Sequence, residues 1–426
     1  MTQTVSRCVN LDWLEVYCVE TQPRPWSYFR DLGFEVQKRE YGTPMYREMF
    51  TIMEHGAALI EVRRDPYQVK SQGGIFEDGA CHLRLANRTC YYPDPVGLFR
   101  RFIIEHGFWY KGISRVDICM DFLHFDFGDD PLEILKSYME GKISKINQAN
   151  VAAHGTDQWD GRYWNSLKWG SETSMVTTKM YNKTMELNRP GHDKFYIRDE
   201  WERCGLCSRQ ITTYKYENKD GTTCTRYGCK YVAFGTAKPE PIPQEQCEEV
   251  PIWRVEFSVK SNARHWINMQ SKEFHLLTLN NIDSRMKLLF LFHSLAHHYF
   301  HFKTLVYTRE GTLQRKDRCP DKVLFITSRD ERAYKPKALP TTAKQAPSWI
   351  MRVTDELRRL ITSDKVPDNI AESANYILVQ LWEQCRLWGV TKRDSEVYDL
   401  KAMNKTQLLE LYRKLRTMLE AKQLHF

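Results

Sequence analysis

The chain has 426 residues, with 62 basic side chains against 54 acidic, a formal charge of +8, 42% hydrophobic and 27% charged residues. That length accommodates two or three domains, and the composition excludes a disordered or fibrous chain. The most apolar run, Leu288–Phe292, is far too short to span a bilayer, and no secretory leader pattern precedes the first strand, so the twelve Cys are expected as reduced thiols of a cytoplasmic protein with no membrane partner.

In chain order, Asp12–Glu20 (DWLEVYCVE) predicts a strand and Arg24–Leu32 a short helix after Pro23. Phe34–Glu40, Met45–Glu54 and Ala57–Arg63 then form a meander, with His55-Gly56 as a turn, and 74–87 adds another strand. Asp94–His106 is a helix with Asp94 near its start and Gly107 closing its end. A strand over Ile113–Phe122 precedes a helix over Pro131–Met139. Strands follow at Lys168–Trp169, Met175–Asn182 and Trp253–Lys260, and a long helix covers Asp283–Phe302. Strands with helices interspersed in this way predict an α+β fold with a largely antiparallel sheet and flanking helices. The proline-bearing stretch 334–347 reads as a linker. Beyond it, 348–361, 369–388 and 404–422 have helical spacing, with Leu408, Leu411, Leu415 and Leu419 as an apolar stripe. The expected division is a core over 1–303 with a Cys-containing insertion at 187–250, a connector over 304–347 and a C-terminal helical module over 348–426.

Two strands share a template. Arg115-Val116-Asp117-Ile118-Cys119-Met120-Asp121 and Arg254-Val255-Glu256-Phe257-Ser258-Val259-Lys260 each carry charge at positions one, three and seven. Strand alternation puts Arg115, Asp117, Cys119 and Asp121 on one face, and Arg254, Glu256, Ser258 and Lys260 on one face. For a single strand, a polar face turned to solvent explains such a pattern. Two matched strands point further: paired carboxylates are hard ligands for Mg²⁺ or Mn²⁺, and the basic groups suit phosphate. A third strand aligns Thr177, Lys179, Tyr181 and Lys183. A phenol with a pKa near 10 is a poor nucleophile, and flanking ammonium groups with a metal on the phosphate are expected to favour its phenolate.

The order RVDxxxD, then YNKxxE (Tyr181, Asn182, Lys183, Glu186), then WRVExxxK from Trp253 to Lys260 resembles the Rep_trans family of rolling-circle replication initiators. The resemblance runs from about Asp12 to Phe302. It implies a relaxase-like, internally pseudo-duplicated fold and a DNA nicking–closing activity that starts rolling-circle replication of a plasmid or mobile element. It makes Tyr181 the nucleophile, left as a phosphotyrosine on the 5′ end while the 3′ hydroxyl primes synthesis. Asp117 and Glu256, then Asp121, become the metal ligands; Arg115, Lys179, Lys183, Arg254 and Lys260 the phosphate contacts; Asn182 and Glu186 supporting residues. Origin DNA, as a hairpin or single-stranded nick site, a host helicase and a second copy of the chain are the implied partners. A relaxase cutting a transfer origin has the same motifs, and a non-catalytic DNA-binding protein is the reading from another class. No Walker A sequence occurs, so no ATP use is expected.

Two features stand outside the resemblance. Cys204-Gly205-Leu206-Cys207 followed by Cys224 and Cys229 is compatible with a structural Zn²⁺ ribbon, against free thiols in a hairpin insertion. His293, His297 and His301 recur every four residues in an apolar helix, where packed histidines are favoured over a metal site. The insertion and the C-terminal helices are the two candidates for origin specificity.

Overall fold

His55 and Gly56 both take positive φ, 49° and 73°, the geometry of a two-residue hairpin turn whose twist matches its strands. At the end of the next helix Gly107 adopts φ 69°, and Asp94 at its start accepts a hydrogen bond from Gly97 N at 2.8 Å. The computed structural model describes residues 7–337 apart from 23, 70–74, 147–150, 159–160, 172, 192–193, 219, 221 and 272. The expected helical module over 348–426 lies outside the described residues.

The first half contains β1 (Arg7–Glu20), α1 (Ser27–Asp31), β2 (Glu35–Lys38), β3 (Tyr46–Glu54), β4 (Ala57–Pro66), β5 (Ala80–Leu85) and α2 (Pro95–Glu105). The second begins with β6 (Phe108–Phe122), α3 (Pro131–Met139), β7 (Ile143–Lys145), β8 (Val151–Gln158), β9 (Gly161–Trp169) and β10 (Val176–Asn182). Then come α4 (Lys183–Leu187), α5 (Phe195–Arg203), β11 (Cys207–Glu217), β12 (Thr223–Ala233), β13 (Ile242–Pro243), β14 (Trp253–Lys260) and α6 (Arg285–Tyr299).

Ten of these strands form one sheet in the order β2-β3-β4-β5-β1-β6-β14-β10-β9-β8, every pairing antiparallel. The order is that of a duplicated unit. Strand β1, a helix, four strands and a second helix repeat as β6, α3, β8, β9, β10, β14 and α6, and the two units meet along the antiparallel β1–β6 pair. The second unit differs by the segment between β10 and β14, which carries α4, α5 and the β11–β12 hairpin. The fold is thus α+β and dominated by antiparallel sheet.

One face of the sheet is apolar. Val255, Phe257 and Val259 are buried there, with Phe292 of α6 edge-on to Phe257 at 5.2 Å. Phe29 of α1 stacks on Phe102 of α2 at 5.7 Å in the same core. The opposite face carries the charged alternation, with Asp117 against Ser258 and Glu256 against both Cys119 and Lys179. Residues after α6 return to the body: Phe302–Thr304 pairs with β7, and Tyr334–Pro336 pairs with His265–Asn268. Among the described residues no helix is long and apolar enough to cross a membrane.

Candidate active site

Strand β10 stops where Asn182 begins a helix. The Asn182 side-chain oxygen accepts from Met185 N at 2.9 Å and caps α4. Lys183 is therefore the first helical residue, not the last of the strand, and the turn folds its ammonium back over Tyr181. Its Nζ lies 3.4 Å from the phenolic oxygen and 5.3 Å from the ring centroid, and Glu186 holds it from the other side at 2.9 Å. Lys183 is buried.

Across the ladder, the Tyr181 hydroxyl donates to Glu256 Oε2 at 3.0 Å. The other oxygen of Glu256 takes Lys179 Nζ at 2.8 Å. One strand further, Arg115 grips Asp117 with two hydrogen bonds of 2.9 and 2.5 Å, and Ser258 Oγ donates to the same carboxylate. Tyr181, Lys179, Lys183, Glu186, Asn182, Arg115, Asp117 and Glu256 all line one open cavity of about 790 Å³. Seven basic side chains line it against four acidic ones, so the field there favours an anion.

The electrostatics correct one expectation. Lysines on both sides were to favour the phenolate, but Lys179 is spent on Glu256. Burial, and then the Glu256 carboxylate, push the Tyr181 phenol well above its ordinary value, with Arg254 opposing. The hydroxyl therefore keeps its proton and holds it against a carboxylate that can accept it. Burial raises Asp117 to about 6, with the Arg115 hydrogen bond opposing and Glu256 adding to the rise. Burial alone would raise Glu186, but Lys183 outweighs it and holds the carboxyl below its ordinary value.

Three expected site residues stand elsewhere. Asp121 and Arg254 are both 0% exposed and bind each other through two hydrogen bonds of 2.6 and 2.7 Å. Trp201 of α5 donates to Asp121 at 2.7 Å, leaving that carboxylate no face for a metal, and Arg254 is covered by Tyr91 and Asp12. The pair forms the floor of the site, not its surface. Lys260 sits opposite Arg115 at the far end of β14, away from the cavity lining.

Asp12 is the residue that sequence reasoning missed. The β1–β6 register jumps between Leu11 and Trp13, so Asp12 is an extra, unpaired strand residue. That bulge turns its side chain onto the charged face, where it takes Arg254 at 2.8 Å and the Tyr91 hydroxyl at 2.8 Å. Burial would raise its carboxyl, but Arg254 and then Lys183 hold it well below the usual range. Trp13 lies between two guanidiniums, with Arg84 and Arg115 at 4.2 and 4.4 Å from its ring centroid. Lys168 on β9, opposite Lys179, together with Arg189 and Lys194 completes the basic wall. An alternating strand pattern carries no sign of a bulge, and the lone lysines had no motif to mark them.

Asp117 and Glu256 are diagonal neighbours on adjacent strands and offer hard oxygens, the donor type a divalent ion takes together with phosphate and water. Each is neutralised by a cation of the chain, so a metal ion would have to displace Arg115 and Lys179. Among the described residues no third carboxylate, imidazole or thiol joins them in one ligand-sized cluster.

The four cysteines considered for zinc do not converge. In the hairpin, Cys207 faces Ala233, Cys229 faces Ile211 and Cys224 faces Tyr216. At roughly 3.4 Å per residue, Cys229 and Cys224 lie about 14 and 30 Å along the ladder from Cys207. Cys204 instead meets Cys8 and Glu200. The helix histidines do not form a ligand set either: His293 packs against Phe292 and Phe325, and His301 pairs with Asp321 at 2.8 Å.

Fold and site together define a duplicated antiparallel α+β protein with a tyrosine set in a basic cavity. No family model and no curated protein matches the chain. Among solved structures it is similar to the rolling circle replication initiator protein from Geobacillus stearothermophilus, with a TM-score of 0.39 and 12% sequence identity over 75% of this chain and 93% of that chain.

Proposed function

We propose that the protein nicks and rejoins one strand of origin DNA through Tyr181, starting rolling-circle replication of a plasmid or mobile element. The observation that carries this reading is the Tyr181 hydroxyl held between Glu256 at 3.0 Å and Lys183 at 3.4 Å in a basic cavity. The cavity's cations receive the DNA backbone, and Lys183 steadies the charge that develops on the phosphoryl oxygens. The phenolic oxygen bonds to phosphorus as the bond from phosphorus to the 3′ oxygen breaks. Glu256 takes the phenolic proton and passes it to solvent, and the leaving 3′ oxygen takes one proton from solvent to depart as a hydroxyl, so no net proton is gained or lost. The product is a 5′-phosphotyrosine whose ester conserves the energy of the broken link, so rejoining needs no nucleotide cofactor.

Asp117 and the Lys179-bound oxygen of Glu256 would hold Mg²⁺ or Mn²⁺ once the ion displaced Arg115 and Lys179, and its chemistry when bound would be to polarise the scissile phosphate. The β11–β12 hairpin, with Tyr227 72% exposed and Arg226 stacked on Tyr216, is our candidate for contact with duplex origin DNA. The test is incubation of the protein with a supercoiled plasmid bearing its origin and Mg²⁺. Open circles carrying protein on the 5′ end, absent with Tyr181→Phe, are expected; binding without nicking by the wild type would overturn the reading.

A further inference from the structure

At the end of α5 the Cys204–Cys207 motif is split. Cys207 enters β11 fully buried, while the Cys204 sulfur lies 2.9 Å from that of Cys8 on β1, 196 residues earlier. Glu200 Oε1 stands 3.7 Å from Cys8 and 3.5 Å from Cys204, and Asn10 Nδ2 is 3.1 Å from Cys8. One nitrogen of Arg285 reaches Cys204 at 2.8 Å, Glu200 at 2.7 Å and Cys8 at 3.5 Å. Two thiols and a carboxylate converge as metal ligands would. The cation among them, however, is the guanidinium. With Zn–S bonds of about 2.3 Å, two thiolates on one tetrahedral zinc stand roughly 3.7 Å apart, wider than the separation here.

We propose that Cys8 and Cys204 are a redox-active dithiol that closes to an intrachain disulfide under a peroxide and reopens with a thiol reductant. The geometry assigns the roles. Cys204 is partly exposed beside a guanidinium, which favours its thiolate, and Cys8 is buried behind it. The hydrogen bond with Cys8 lowers the Cys204 thiol, burial opposes, and Arg285 adds to the lowering. In the first step the Cys204 sulfur attacks a peroxide oxygen; the S–O bond forms as O–O breaks, and one water leaves. In the second, the Cys8 sulfur attacks the sulfenic sulfur; S–S forms, S–O breaks, and the hydroxide leaves with the Cys8 proton as a second water. Two electrons pass from the thiols to one hydrogen peroxide.

This inference stands apart from nicking, and its test does not use DNA. The full chain is treated with hydrogen peroxide, alkylated under denaturing conditions, digested and read by mass spectrometry. A peptide pair joined through Cys8 and Cys204 is expected, separable by dithiothreitol, with Cys207 alkylated throughout. Cys8→Ser, checked for folding by circular dichroism, should leave Cys204 as a sulfenic acid trapped by dimedone. Because the link closes a loop of 196 residues, oxidation should raise the melting temperature by about 5 °C in the wild type and leave Cys204→Ser unchanged. A Cys204–Cys207 link, Cys204 oxidised while Cys8 stays a thiol, or one zinc per chain released as the thiols react would each overturn the proposal.

Discussion

The Tyr181 hydroxyl donates to Glu256 at 3.0 Å, and Lys179 holds the far oxygen of the same carboxylate at 2.8 Å. The acid is thereby aimed, one oxygen for the proton and one for its anchor. Glu256→Gln keeps the shape and removes the proton acceptor, so single-turnover nicking of an origin oligonucleotide should fall by about 10² or more, in the range of a lost general base. DNA affinity, measured by fluorescence anisotropy, should change little. Nicking within a few-fold of wild type would remove Glu256 from the proton path.

Asn182 works through the backbone. Its cap fixes where β10 ends, and so where Lys183 and Glu186 stand over Tyr181. Asn182→Ala should cost about 1 kcal/mol in urea unfolding and lower nicking more than that loss of folded protein explains. Asn182→Asp restores an acceptor at the cap and should recover most of the rate. Equal nicking by the alanine and aspartate variants would show that the cap does not position the site.

Much of this arrangement was legible in the sequence, and the limits have physical causes. The helix at Pro131–Met139 and the strand at Trp253–Lys260 have the expected ends because a proline after Asp130 and strict alternation mark them. Alternation also puts Asp117 with Arg115, Glu256 with Ser258 and Tyr181 with Lys179 on one side of each strand, since a period of two is a local property. The register of β6, β14 and β10 brings the three sides together. Depth is not local. Asp121 and Arg254 share the spacing of Asp117 and Glu256, yet Trp201 and Tyr91 cover them, and those rings come from remote segments. The bulge at Asp12 depends on the register with β6, which β1 alone does not encode. Lys183 shares a side with Tyr181 for a reason the strand pattern did not contain, the start of α4.

Asp117 sets a pH dependence. Burial raises it to about 6 from 3.8, so the folded state binds its proton more tightly than the unfolded chain does. Between those values the unfolded state holds fewer protons, and this group's contribution to stability falls as pH rises. Activity should run the other way. The ionised carboxylate is the form that binds a cation, Arg115 here or a divalent ion in its place, so kcat/KM for nicking should climb through pH 6. Ser258→Ala removes a hydrogen bond that lowers the value, and the inflection should move to higher pH. A flat profile from pH 5 to 8 would sink the assignment. Tyr181, held above its ordinary value, should add no inflection of its own below pH 10.

The Asp121–Arg254 pair is expected to act on stability. Both side chains are fully buried and joined by two hydrogen bonds, so removing Arg254 leaves the Asp121 charge uncompensated in the core. Arg254→Met should destabilise the protein by about 3–5 kcal/mol in urea unfolding. Adding Asp121→Leu should recover part of that loss, because the fully buried one of the two carboxylates stranded by the change disappears, while Asp12 keeps its Tyr91 hydrogen bond. If the double variant is no more stable than the single one, the pair is not the coupled unit that its geometry describes.

The hairpin offers a separation of binding from chemistry. Tyr214 pairs with Arg226 across β11 and β12, Tyr216 lies beneath the Arg226 guanidinium at 4.8 Å, and Tyr227 is exposed. A two-stranded ribbon of this kind fits a DNA groove and reaches phosphates with its basic side chains. A single phosphate contact contributes about 0.9 to the slope of log affinity against log salt. Arg226→Ala should therefore reduce that slope for duplex origin DNA by about one, measured by anisotropy from low to moderate salt. Cleavage of a short single-stranded substrate at saturating concentration should be unchanged, since no hairpin residue lines the Tyr181 cavity. An unaltered slope would take the ribbon out of the DNA interface, and slower cleavage of the short substrate would place it within reach of the reacting phosphate.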